Sequence, residues 1–144
     1  MALSRITGWT RATVARAVDA LKRGRAPGAR RTVAAAFGAA FLFTCVMAFW
    51  PGLKGLPVTD TTQHAAAFSV LTMLSIWLLP SASQLILGGA LCSFGGLIEF
   101  VQELPFLHRT ADIGDWTVDV IAVAGVLAVA ALLRGARAIA ATAF

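Results

Sequence analysis

Charge is what this chain has least of. Only 13% of its 144 residues are Asp, Glu, Lys or Arg, about half the share usual in soluble proteins. The acidic residues number seven in all. A soluble domain with so few charged groups would have little to cover its surface with, so that class is excluded. The 58% hydrophobic content and a mean hydropathy of +0.79 point the same way, to an integral membrane protein. Cysteine is also scarce. Cys45 and Cys92 both lie deep inside hydrophobic runs and read as small apolar core residues rather than as a disulfide or metal pair. The first 30 or so residues hold no long apolar run of the kind found in a cleavable signal. No nucleic-acid module and no aromatic-interleaved basic surface is present, so nucleic acid is not an expected partner. The length leaves room for one small domain.

The basic residues that do occur are bunched. Eight of the twelve (Arg5, Arg11, Arg16, Lys22, Arg23, Arg25, Arg30 and Arg31) precede the first hydrophobic span. A basic block beside a membrane segment sets topology or touches anionic lipid headgroups. Residues 3–23 read as a basic amphipathic helix, with Ser4 as its cap. Leu3, Ile6, Thr10, Val14, Val18 and Leu21 recur along it at spacings of three or four. Such a helix lies in the headgroup plane, with Trp9 near the interface, or docks on protein; both readings stay open. Residues 24–31 are expected to break it and form a short linker.

Four hydrophobic spans follow. They cover residues 33–50, 63–79, 84–102 and 116–133, and they stop at Pro51-Gly52, at Pro80, before Pro105 and at Arg134-Gly135. Each approaches the roughly 20 residues needed to cross a hydrocarbon core of about 30 Å. The expected fold is therefore an all-α membrane protein, a four-transmembrane-helix bundle preceded by the basic amphipathic helix. Residues 1–32 would form a cytoplasmic helix and linker, 33–134 the transmembrane domain and 135–144 a short cytoplasmic tail. The positive-inside rule places both termini in the cytoplasm, where Arg134 and Arg137 agree. The 51–62 and 104–115 loops then face outward. Small residues at four-residue spacing predict packing seams: Ala36, Ala40, Thr44 and Ala48 on the first span, Gly88, Cys92 and Gly96 on the third.

That topology gathers the rare polar groups. Asp60 and His64 are four apart at the outer start of the second span, on one face if the helix begins that early. Glu99, Gln102 and Glu103 close the third span, while Asp112, Asp115 and Asp119 open the fourth, with Arg109 in the loop between. Glu99 and Asp119 each sit about one turn inside a span, where a charge is costly and marks a functional site by default. Arg109 is the expected bidentate partner for one of them, and His64 the proton-responsive neighbour. One cation cannot neutralise several carboxylates, so the others would be solvated, protonated or metal-ligating. With His64 as the one histidine of this group and no close ligand motif, a metal is not expected. Asp60 could instead serve as the N-cap of the second span, and Glu103 and Asp112 as wet rim groups. An Arg109 pair with Glu99 or Asp119 could equally be a structural lock.

At these residues the chain resembles the VanZ-like family of small bacterial membrane proteins. The family pattern runs Asp-Lys-x-x-His before a helix and Glu-x-x-Gln at the end of a later one. It closes with Arg, a short gap, and Asp followed four residues on by Asn or Asp near a glycine-rich helix. Here Asp60-Thr-Thr-Gln-His64, Glu99-Phe-Val-Gln102, Arg109-Thr-Ala-Asp112 and Asp115-Trp-Thr-Val-Asp119 stand in that order over residues 33–134. Two positions depart: Thr61 replaces the lysine, and Ala122 the expected glycine, with Gly125 one turn later. The family is named for a glycopeptide-resistance accessory factor linked to teicoplanin. The resemblance thus implies a multi-pass protein of the bacterial cytoplasmic membrane with an envelope-related role, and no particular cofactor.

Three functions are compatible with this. The first is an outward-facing polar site with a binding or accessory role in the cell envelope. The second is a small non-catalytic subunit of a larger membrane protein complex. The third is an enzyme modifying an envelope lipid or polyprenyl phosphate, with His64 or Glu99 as general base, Asp119 as a further catalytic candidate and Arg109 on the headgroup. Thr61, Thr62 and Thr110 are the hydroxyls at hand for such an enzyme, and no Ser or Cys nucleophile motif is present.

Overall fold

The computed structural model describes residues 27–50, 59–107 and 110–142. Among these, the chain is all-helical: α1 (Pro27–Phe49), α2 (Asp60–Leu78), α3 (Gln84–Gln102) and α4 (Ile113–Thr142), with a single 3-10 turn at Pro105–Leu107. Three of the helices, α1, α3 and α4, are long and apolar enough to cross a membrane. Helix α2 matches α3 in length at 19 residues, but opens on the polar stretch Asp60-Thr-Thr-Gln-His64. The expected amphipathic helix over 3–23, together with Arg109, lies outside the described residues.

Helix boundaries differ from the sequence expectation in physically simple ways. The linker expected over 24–31 is helical from Pro27 onward. Proline is tolerated at a first helical position, and the Ala and Arg residues after it are good helix formers. Helix α2 begins three residues earlier than expected because Thr59, not Asp60, is the N-cap: Thr59 Oγ1 accepts from Thr62 N at 3.2 Å. Asp60 stands instead in the first turn, where its charge suits the helix dipole. Ser83 caps α3 in the same manner, its Oγ accepting from Leu85 N at 3.3 Å. Helix α4 does not stop at Gly135 but continues to Thr142. An isolated glycine weakens a helix by about 1 kcal/mol and does not by itself end one. The 30 residues of α4 give a rod of about 45 Å, longer than a hydrocarbon core of about 30 Å.

Helix α2 is the centre of the packing, meeting α4 most extensively and α1 next, while α3 lies mainly on α4. Phe68 and Leu71 of α2 are fully buried, joined by Ile98 and Leu91 of α3, Val123 of α4 and Ala48 of α1. Phe94 bridges two helices, its ring 4.7 Å from that of Phe41 and 5.8 Å from that of Phe68. The small-residue seams are used unevenly. Thr44 and Ala48 are buried and Ala40 packs on the core, whereas Ala36 is exposed. On α3, a Cβ on Gly88 would come within 3.0 Å of Leu127, and one on Gly96 within 3.3 Å of the Trp116 indole nitrogen. That nitrogen donates to the Cys92 carbonyl at 3.0 Å, so Trp116 lies directly on the seam. Gly125 faces open space and does not replace the close approach expected at Ala122. Much of the outer surface is apolar and exposed, including Leu42, Phe43, Leu85, Ile86, Phe100, Ile121 and Leu132. Large apolar side chains exposed along these helices suit contact with lipid or another protein.

Candidate functional site

Early initiation of α2 puts Asp60 and His64 one turn apart, and four residues further on lies Phe68. The His64 ring runs nearly parallel to that of Phe68, with centroids 6.4 Å apart. This orientation aims Nδ1 at α4, where it meets Asp119 Oδ1 at 3.0 Å and Oδ2 at 3.3 Å. Asp119 has no solvent exposure at all, and His64 is buried as well. A carboxylate so enclosed is tolerable only with a hydrogen-bonding or charged partner, and His64 provides one. Room for it comes from a glycine that sequence reading passed over. A Cβ on Gly95 would stand 2.6 Å from Asp119 Oδ2 and 3.3 Å from Phe68 Cζ.

One turn earlier on α4, Asp115 is buried and accepts a hydrogen bond from Thr61 Oγ1 at 2.9 Å. Glu99 completes the group from α3, its Oε2 accepting from Asp112 N at 2.7 Å. Its other oxygen, Oε1, is buried and has no hydrogen-bond partner among the described residues. His64 is within electrostatic reach of Glu99 and Asp115 as well as Asp119. Three buried carboxylates therefore share a single imidazole among the described residues.

The other expected members do different work. Gln102 turns away from the carboxylates, and its Nε2 donates to the Ala48 carbonyl at 3.0 Å. That carbonyl belongs to the last turn of α1, which has no helical partner to offer it. Asp112, expected at a wet rim, is indeed exposed, but it also organises the start of α4: its Oδ1 accepts from Gly114 N at 2.7 Å and its carbonyl from Asp115 N at 3.0 Å. Glu103 is exposed at the end of α3. Asp60 is exposed beside a cleft between α1 and α2 that His64 also lines.

The structure thus brings together His64, Glu99, Asp115 and Asp119, joined by Thr61. Gly95 and Trp116 were not singled out as site or packing residues from sequence, and Thr61 was named only as a departure from the family pattern and as an available hydroxyl. A signal existed for the first: Gly95 precedes the deep carboxylate Glu99 by four residues and so shares its helical face. The other two contacts are between helices, and no local pattern announces them.

Chemically, the group can hold a proton between His64 and Asp119 and can accept hydrogen bonds at Glu99 Oε1. Among the described residues, no three His, Cys, Asp or Glu side chains converge in a metal-ligand geometry. The Thr61 hydroxyl already donates to Asp115. Compared with known proteins, the chain matches no family model, no curated protein and no solved structure.

Proposed function

We propose that this is a VanZ-like multi-pass membrane protein whose polar group opens toward the outer side of the bacterial cytoplasmic membrane and binds a ligand there. All four helices cross the bilayer in this reading, both termini are cytoplasmic, and the basic N-terminal helix lies against anionic headgroups. The role is binding or accessory, in the cell envelope. The observation that carries it is Glu99 Oε1, a buried acceptor with no partner among the described residues. Leaving such an atom unmet costs about 1–3 kcal/mol, so a finished structural lock would satisfy it. A bound donor, or Arg109 closing over a bound ligand, supplies what is missing. The absence of an oriented nucleophile beside His64 among the described residues favours binding over catalysis.

Two measurements test this. With Cys45 and Cys92 replaced by alanine, single cysteines at Lys54, Ser81 and Thr110 are labelled in intact cells with a membrane-impermeant maleimide. Labelling at 54 and 110 but not at 81 is expected; the opposite pattern overturns the orientation. Native mass spectrometry of the purified full chain is expected to show a retained small molecule that Glu99→Gln loses while still inserting. Equal spectra for both proteins sink the binding site.

A second reading, a non-catalytic subunit of a larger membrane complex, is favoured by the exposed apolar faces of α3 and α4. Stoichiometric co-migration with a larger assembly, with function indifferent to Glu99→Gln, would select it.

A further inference from the structure

Charge in this molecule is sorted end to end. All six carboxylates among the described residues (Asp60, Glu99, Glu103, Asp112, Asp115 and Asp119) lie where α1 and α3 stop and α2 and α4 start. Contacts of Thr61 with Asp115 and of Gln102 with the Ala48 carbonyl hold those four helix ends together. The four described cations, Arg30, Arg31, Arg134 and Arg137, lie at the opposite end, where α1 starts and α4 stops. A field of one sign concentrates counter-ions and repels anions.

Half of the acidic set is exposed at this end: Asp60, Glu103 and Asp112. The other half is buried, and there the donors run short. His64 Nδ1 goes to Asp119, the Thr61 hydroxyl to Asp115 and the Asp112 N–H to Glu99 Oε2. Glu99 Oε1 is left unmet among the described residues, on a side chain more than nine-tenths buried. Glu99 is also within electrostatic reach of both Asp115 and Asp119. Whatever meets Oε1 therefore enters the field of all three carboxylates. Asp119 is sealed, whereas Asp115 and Glu99 each keep 8% of their surface open, so the approach lies on their side.

These facts fix the chemistry of an occupant. It must donate, because the unmet atom is a carboxylate oxygen. It must carry positive charge, because even an imidazolium at His64 offsets only one of three ionised carboxylates. A phosphate head would set acceptor against acceptor. A bare metal ion lacks its ligands, since no three His, Cys, Asp or Glu side chains converge among the described residues. A quaternary ammonium brings charge but no N–H. A protonated primary amine brings three N–H donors on one compact charge.

We infer that Glu99 and Asp115 receive the primary ammonium group of a ligand, with Glu99 Oε1 accepting one of its N–H bonds. The inference rests on the binding role proposed above and names the chemistry of the ligand. A lipid headgroup and a free amine offer the same group.

The test uses the full chain in nanodiscs of phosphatidylcholine and phosphatidylglycerol, neither of which has a primary amine. Ethylammonium, tetramethylammonium and ethyl phosphate are titrated by calorimetry. Ethylammonium is expected to bind about tenfold tighter than tetramethylammonium, the factor that one charge-assisted hydrogen bond supplies, and ethyl phosphate not at all. Glu99→Gln should lose that tenfold; Asp115→Asn does the same should Glu99→Gln fail to insert. Phosphatidylethanolamine added to the nanodiscs separates the sources. Competition with ethylammonium assigns the ammonium to a headgroup, and no competition assigns it to a free amine. Absent ethylammonium binding, equal binding of tetramethylammonium, or binding indifferent to both carboxylate variants overturns the inference. So does a gain in ethylammonium binding on Arg109→Ala, which would show the chain's own arginine on Glu99. Ethyl phosphate binding that Glu99→Gln abolishes, or a retained molecule without a basic nitrogen that the same variant loses, would keep the binding site and overturn only the ammonium. No binding of any probe, together with equal mass spectra for wild type and Glu99→Gln, would fault both.

Discussion

Asp119 lies so near the backbone of Gly95 that a methyl group on that glycine would stand 2.6 Å from Asp119 Oδ2. The carboxylate cannot swing aside, because His64 holds it and it is fully buried. Gly95→Ala must therefore push α3 from α4 or break the His64 contact. Overpacking of this kind typically costs about 1–3 kcal/mol, against a helix-propensity gain of about 1 kcal/mol. Gly89→Ala on the same helix meets nothing within 4 Å. Thermal unfolding in detergent should show Gly95→Ala clearly lowered and Gly89→Ala unchanged or raised. Equal midpoints would show that the approach at Gly95 is not tight.

The His64–Asp119 contact yields a second prediction. Removing one member of a buried pair leaves the other uncompensated and costs about 3–5 kcal/mol, while replacing both with apolar groups can be neutral. His64→Leu alone should be strongly destabilising. The double variant His64→Leu with Asp119→Leu should recover most of the loss. Denaturant titration in mixed micelles measures both. Additive losses in the double variant would mean that the two side chains are not coupled.

Much of this arrangement was legible in the sequence, and the reasons are local. The breaks at Pro51, Pro80 and Pro105 announced the helix ends, and the four-residue spacings Asp60–His64 and Asp115–Asp119 announced shared faces. Glu99 and Asp119 stood out because ionisable groups inside apolar runs are rare. What could not be read were relations between helices. Gln102 belonged by spacing with Glu99, yet three residues of helix leave the two side chains about 60° apart, and Gln102 reaches α1 across that difference. Thr61 read as a missing lysine, because only the packed structure puts Asp115 opposite it. Helix starts were misplaced by a few residues for a related cause: Thr59 and Asp60 are both competent caps, and the choice depends on local backbone geometry.

Gln102 gives the third prediction. Its amide donates to the last turn of α1 and ties α3 to it. Gln102→Leu keeps the approximate volume but leaves the Ala48 carbonyl unmet, at a cost of about 1–3 kcal/mol. Gln102→Glu, when ionised, is worse, since it sets a charged acceptor against an acceptor. The expected order of thermal stability in detergent is wild type, then Gln102→Leu, then Gln102→Glu. Should Gln102→Glu match the wild type, the amide does not hold α1.

Thr61 offers the fourth, and it separates a chemical role from a positional one. Its hydroxyl is the hydrogen-bond partner identified for the buried Asp115 carboxylate, at 2.9 Å. Thr61→Val preserves shape and removes only the donor, so Asp115 loses a charge-assisted bond worth about 1.5–3 kcal/mol. Thr61→Lys supplies a cation in place of the hydroxyl. Because Thr61 itself is exposed, the longer side chain has space to curl back toward Asp115. Thr61→Val should therefore lower the unfolding midpoint, and Thr61→Lys should restore it. A lysine variant as unstable as the valine one would mean that Asp115 accepts only a donor held as close as the threonine hydroxyl.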